Sequence, residues 1–322
     1  MYNQKIQHYL QDASSHQRFV LLNEVTHTHP YCSLIGETAS YCMEFLAIRD
    51  LDKKSCLVKW NMVGPTYPLS HELENEIRML SYLNHDNIMK PLKIGKGFIY
   101  SSDKDGSKKN YGRVVYIAGE YLFNISSIFS NEAVCWPEEF IKNTMRKLAL
   151  AVYYLHCQGL VHSNLRLENI LFNQQWDVKL SGLELISRDS GFPCYSACCI
   201  EPYSAPEMYT AAFPIGYLPM KADIYSLGII FLALRVGYLP PIEPYTLQSP
   251  HNRRDVFQDE KYWICLEIMS KVKLDNGCHD LLKSMLTSNA TQRFNIEQVL
   301  IHSYLAMNED EDEIISDYPT HA

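Results

Sequence analysis

The chain has 322 residues, 47% of them hydrophobic and 20% charged, enough to bury a large core in one large or two modest domains. A formal net charge of −8 argues against a dominant surface for nucleic acid or anionic membrane. No run of about eighteen apolar residues occurs, and the N-terminus MYNQKIQHYLQDASSHQ lacks the apolar centre of a signal peptide, so the expected location is cytoplasmic or nuclear. The ten cysteines are scattered, and their one close group (Cys194, Cys198, Cys199) has no second cluster to match it. They read as reduced, mostly buried thiols rather than a disulfide or zinc framework.

In chain order, residues 1–18 are expected to form a polar extension, helical or unsettled. Over 19–59 apolar stretches alternate with turns, the pattern of antiparallel strands. Here Leu34-Ile35-Gly36-Glu37-Thr38-Ala39-Ser40-Tyr41 reads as a strand turn with one glycine, and Cys56-Leu57-Val58-Lys59 as a strand. In LENEIRMLSYLNHDNIM, Glu76, Leu80 and Leu83 fall at helical spacing, followed by a turn containing His85 and Asn87. A polar loop over 101–110 leads to a strand at 114–121. Phe140, Met145, Leu148, Val152 and Leu155 share one helical face, predicting a helix over 137–158 with Pro137 in its first turn. Residues 160–184, LVHSNLRLENILFNQQWDVKLSGLE, then alternate apolar runs with polar turns. Beyond them come Ala205-Pro206-Glu207, the run Lys221-Ala222-Asp223-Ile224-Tyr225-Ser226-Leu227-Gly228, Arg293 in SNATQRFNIEQVLIHSYL, and an acidic tail over 307–322 that reads as disordered.

These landmarks, in this order over about 19–305, resemble the eukaryotic protein kinases, in the Ser/Thr form by virtue of Arg166 and Glu168. The resemblance implies an α+β chain with the bilobal protein-kinase fold: a small β-rich N-lobe over 19–120 and a larger helical C-lobe over 121–306. It implies that Gly36, Lys59, Glu76, Glu120 and Asn169 are the remains of a nucleotide site, Lys59 pairing with Glu76 and Glu120 lying near the hinge. Gly119 takes the gatekeeper place. His162, Glu207, Asp223 and Arg293 are implied as structural residues: Asp223 would hold the backbone of the catalytic loop, and Arg293 would pair with Glu207.

The same template exposes what is missing. Where the family has His-Arg-Asp, this chain has His162, Ser163 and Asn164; where it has Asp-Phe-Gly, it has Gly182, Leu183 and Glu184. Phosphoryl transfer depends on one Asp that takes the substrate proton and another that holds the magnesium. An amide at Asn164 cannot take a proton at neutral pH, forfeiting help of about 10² to 10⁴-fold. Gly182 removes the principal anionic ligand of a hard cation. Thr38 and Tyr41 replace two loop glycines, Leu57 narrows the adenine slot with Met43 expected beside it, Leu183 is expected to plug the Phe place, and Ile200 replaces an anchoring threonine. Ser163 cannot pair a phosphate as Arg does.

The sequence therefore reads as a degenerate, pseudokinase-like member acting as a scaffold or allosteric regulator, with no catalytic residue and no metal site expected. No cofactor is expected; ATP, if it binds, is expected to bind weakly and without magnesium. Partners are expected to be proteins, an active kinase among the candidates, with no nucleic acid and no membrane. The alternatives are an atypical Ser/Thr kinase in which Glu184 replaces the missing metal ligand, and an ATP sensor without turnover.

Overall fold

The structure, a computed structural model, describes residues 7–15, 17–24, 42–64, 69–102, 107–124, 136–195, 199–210, 216–239 and 256–306. Gly36, Thr38, Tyr41, Cys198 and the tail 307–322 lie outside the described residues. The chain divides into two compact units: 1–125 with 168–186, and 126–167 with 187–322. The first is rich in strands and the second in helices, an α+β composition.

The first unit is built on a closed barrel of β1 (Gln7–Asp12), β2 (Arg18–Glu24), β3 (Cys42–Arg49), β4 (Ser55–Met62), β5 (Pro91–Ser102) and β6 (Lys108–Glu120), in the order β1-β2-β3-β4-β6-β5. Side chains alternate across each strand. In β4, Cys56, Val58 and Trp60 face a core shared with Phe19, Ala47 and Tyr116, while Leu57 and Lys59 stay half-buried on the outer face. Strand β1 corrects the expectation of a helical or unsettled extension over 1–18. It shows no polar–apolar alternation, because its adjacent Tyr9 and Leu10 are both buried and the buried Asp12 shares the face of Leu10; β1 closes the barrel by pairing with both β2 and β5. Closure removes the unpaired edges that β2 and β5 would otherwise present. The hairpin between β5 and β6 is also longer than expected, since both strands extend into the polar stretch assigned to a loop over 101–110.

Helix α1 (His71–Tyr82) starts at Ser70, whose hydroxyl accepts from the Leu73 amide at 3.2 Å, and carries Glu72 and Glu74 in its first turn, where the helix dipole favours acids. It buries Leu73, Glu76 and Leu80. A small sheet of β7 (Phe123–Asn124), β9 (Ile170–Phe172) and β10 (Val178–Leu180) completes the unit. Segment 168–186 clusters with this unit. Asn87 accepts at its carbonyl from the Leu180 amide (2.7 Å) and donates its carboxamide to the Val178 carbonyl (3.0 Å), and Met89 N–H donates to the Leu180 carbonyl (2.9 Å).

The second unit contains α2 (Glu138–Cys157), α3 (Pro219–Val236), α4 (Glu260–Ser270), α5 (Asn276–Leu286) and α6 (Ile296–Leu300), with β8 (Leu160–Val161) paired to β11 (Ser187–Arg188). In α2 Met145, Leu148, Val152 and Leu155 are buried, but Ile141 takes the place expected for Phe140, which instead stacks on Trp136. Helix α3 is buried on nearly every side and ends at Gly237, whose φ of 81° is left-handed, a conformation that glycine adopts without a Cβ penalty. Among the described residues no helix is long and apolar enough to cross a membrane.

The cysteine expectation needs correction as well. Of the six thiols whose burial is described, Cys56 and Cys278 are buried and Cys194 is half-buried, but Cys157, Cys199 and Cys265 are exposed. Burial pushes the Cys56 and Cys278 thiols up to about 11, so these two stay protonated and inert.

Candidate functional site

In the first unit β4 presents Lys59 on its outer face, and α1 presents Glu76 from its buried side. The ammonium donates to the Glu76 carboxylate at 2.6 Å. A second carboxylate approaches the same ammonium, because Glu184 Oε2 lies 4.0 Å from Lys59 Nζ. All three side chains are sheltered, with 17% of Lys59, 4% of Glu76 and 8% of Glu184 exposed.

Local geometry explains how Glu184 reaches this place. Gly182 has φ 77°, in the left-handed region, and starts a 3₁₀ turn over Leu183–Leu185. Leu183 is fully buried. Asn75, on α1 next to Glu76, donates its carboxamide to the carbonyls of Glu184 (2.8 Å) and Ile186 (2.9 Å), tying the turn to the helix. A linear reading passes over Asn75, since its partners lie more than a hundred positions away; its only signal is adjacency to Glu76.

Asn169 stands against the other side of Gly182. A Cβ added to Gly182 would overlap the Asn169 carboxamide. The Asn169 carbonyl accepts from the Ser181 amide (2.9 Å) and hydroxyl (3.1 Å), which holds the two segments together. The space from which a side chain at 182 would reach a metal is thus filled by an amide. Position 182 supplies no carboxylate, the Asn169 carboxamide stands where its Cβ would be, and Glu184 Oε2 lies 4.0 Å from Lys59 Nζ. Among the described residues no three His, Cys, Asp or Glu side chains gather as metal ligands.

The strand register also decides what surrounds Lys59. Leu57 stands opposite Leu46 on β3 and Gly119 on β6, whereas Met43 takes the position opposite Trp60. In the strand register Leu46, not Met43, is the cross-strand partner of Leu57, because pairing across strands sets such neighbours. At Gly119 a Cβ would meet the Met89 sulfur at 3.8 Å, so Met89 covers the gap that the glycine leaves. Glu120 ends β6 opposite Cys56.

In the second unit Asp223, at the start of α3, collects donors from the loop after β8. Its carboxylate accepts from the amides of His162 (2.8 Å) and Ser163 (3.0 Å), and the ring Nε2 of His156 lies 3.1 Å away. His156 is a third partner that sequence reading missed, placed by the last turn of α2. Ser163 sits at φ 62°, a left-handed conformation that costs a non-glycine residue free energy, and the two bonds to Asp223 hold it there. His162 is fully buried, and its Nδ1 accepts from the Asn164 amide at 3.2 Å. Beside buried Asn164 lies a cavity of about 20 Å³, lined in part by Ile200, Tyr203 and Tyr217, with room for a single water. The Ile200 amide donates to the Ser204 hydroxyl at 2.6 Å.

Arg293 is fully buried and spends its whole fork. It donates to Glu207 at 2.6 and 3.0 Å, to the Thr287 carbonyl from Nε (3.1 Å) and Nη2 (2.9 Å), and to the Lys221 carbonyl (2.8 Å). Its guanidinium also lies 5.1 Å from the centre of the Tyr225 ring. Burial, and then the charge of Arg293, holds the Lys221 ammonium below its usual pKa.

The family model described as "Protein kinase domain" matches residues 40–305. The chain is similar to the serine/threonine-protein kinase kin-29 of Caenorhabditis elegans, at 26% identity over 270 residues that cover 82% of this chain and 28% of that protein. It is similar also to the serine/threonine-protein kinase CG17528 of Drosophila melanogaster, at 28% identity, covering 81% of this chain and 31% of that protein. The chain spans about a third or less of the length of these relatives.

Proposed function

We propose that this chain, which belongs to the protein kinase domain family, serves as a pseudokinase: a kinase-fold scaffold or allosteric regulator without efficient phosphoryl transfer. The observation that carries this reading is at position 182, where the family's metal-holding carboxylate is replaced by glycine and its space taken by the Asn169 carboxamide. Asn164 adds to it, because an amide cannot accept the substrate proton. Meanwhile the groups that hold the fold are fully engaged, Asp223 on the loop backbone and Arg293 on Glu207. On this reading the surfaces so held are presented to protein partners, an active kinase among them, in the cytoplasm or nucleus.

Incubation with labelled ATP, magnesium or manganese and generic protein substrates is expected to give no more label than a Lys59→Ala control. Label that the control abolishes would overturn the pseudokinase reading. The names of the relatives, and a carboxylate at Glu184, favour one second reading: an atypical Ser/Thr kinase. In that case Glu184→Gln would abolish the label too.

Magnesium ATP at millimolar concentration is expected to leave the melting temperature unchanged. A ligand at a hundred times its dissociation constant would stabilise the fold by about 2.7 kcal/mol, an easily measured rise. A rise that requires magnesium would show that the site holds the metal after all. A rise with ATP in EDTA, with nothing added by magnesium, would instead favour a nucleotide sensor.

A further inference from the structure

Glu184 occupies the position that the family gives to the last glycine of its metal-binding motif, and its Oε2 lies 4.0 Å from Lys59 Nζ, within ion-pair range and beyond hydrogen-bond distance. We infer that Glu184 is an internal anion, standing in for the phosphate that the lysine of a kinase would meet, so that the site completes itself without a nucleotide. The inference deepens the pseudokinase reading and rests on it.

Three observations converge on this role. First, the lysine faces two carboxylates, Glu76 at 2.6 Å and Glu184 at 4.0 Å, so the local formal charge is negative before any ligand arrives. A polyphosphate entering without a metal meets like charge there, which disfavours it. Second, Glu184 is held rather than loose. Its residue is 8% exposed, its own carbonyl and that of Ile186 accept from Asn75, and Leu183 before it is fully buried. Third, Asn75 and Glu76 are adjacent on α1, so a single turn of helix secures both the lysine's first carboxylate and the backbone that carries its second. Such an arrangement keeps the strand-to-helix contact of Lys59 with Glu76 using charges of the protein's own.

The decisive probe is inorganic triphosphate in EDTA, which needs neither a metal nor the adenine slot narrowed by Leu57. Its binding to the full chain is measured by titration calorimetry for the parent, Glu184→Gln, Glu184→Gly and the double variant Glu184→Gln with Lys59→Met. Glu184→Gln keeps the size of the side chain and removes its charge. It is expected to bind triphosphate at least about tenfold more tightly than the parent, about 1.4 kcal/mol, and the gain should vanish in the double variant. Glu184→Gly, which opens more space, serves as the second variant should Glu184→Gln melt early. Equal affinity in the parent and in folded variants overturns the inference, as does a gain that survives Lys59→Met. The labelled-ATP assay on the parent separates the two claims. Transfer by the parent defeats the pseudokinase reading, whereas no transfer by the parent combined with no gain in Glu184→Gln defeats the internal anion alone.

Discussion

Arg293→Ala is expected to lower the stability of the protein by about 3 to 5 kcal/mol, the usual cost of removing one partner from a buried ion pair. The fully buried guanidinium makes two bonds to Glu207 and three to main-chain carbonyls of Thr287 and Lys221. Its removal takes the guanidinium from the Glu207 carboxylate and from those carbonyls. A loss of this size is a large fraction of a typical domain's stability, so unfolding at physiological temperature is the expected result. Capture of partners should fail with it. Asn164→Ala, by contrast, truncates one buried amide and is expected to cost about 1 kcal/mol, with partner capture retained. Melting curves and a paired pull-down compare the two variants. If Asn164→Ala abolishes the cellular role while folding and partners persist, the residue acts in chemistry and the scaffold reading falls.

Asp12→Asn is expected to cost about 2 kcal/mol at neutral pH and to flatten the acid limb of the stability profile. Asp12 is 2% exposed and lies at the end of β1. Its carboxylate accepts from the Tyr116 hydroxyl (2.7 Å), Lys93 (2.9 Å), and the amides and hydroxyls of Ser14 and Ser15. Burial acts to raise its pKa, but the bonds from Tyr116, Ser15 and Lys93 together override it and hold the carboxyl far below the usual carboxylate range. A carboxyl depressed in the folded state contributes stability above its unfolded value, about 3.9, and loses that contribution as pH falls below it. The parent should therefore lose stability through the acid range in a step that Asp12→Asn lacks. The partner behaves consistently: burial, then the bond to Asp12, pushes the Tyr116 phenol up, so it remains a donor throughout. Denaturant titrations at a series of pH values measure both effects, and parallel profiles for the two proteins would show that Asp12 is not the group responsible.

The sequence alone determined the features that depend on periodicity and local chemistry. The buried side of α2 is carried by Met145, Leu148, Val152 and Leu155; the alternation of β4 puts Lys59 on one face; Gly182 and Asn164 declare missing carboxylates by identity alone. Such signals survive in one dimension because a repeat of two or 3.6 residues reports which side of an element is buried. Only the tertiary structure decided the rest. Strand β1 was illegible because its buried residues Tyr9, Leu10 and Asp12 form no period-two apolar pattern and its partners β2 and β5 are set by barrel closure. Tyr116 and Asp12 stand 104 positions apart, and Asn75 and Glu184 109 apart, so no local pattern announces either pair. Leu46, not Met43, is the cross-strand partner of Leu57 because register between strands, not distance along a loop, sets such neighbours. The role of Glu184 was open in the sequence for a similar reason. A carboxylate two residues beyond a lost metal ligand can be read as its substitute, and only the fold, with a left-handed Gly182 and the hydrogen bonds of Asn75 to the turn, brings its Oε2 to 4.0 Å from Lys59 Nζ.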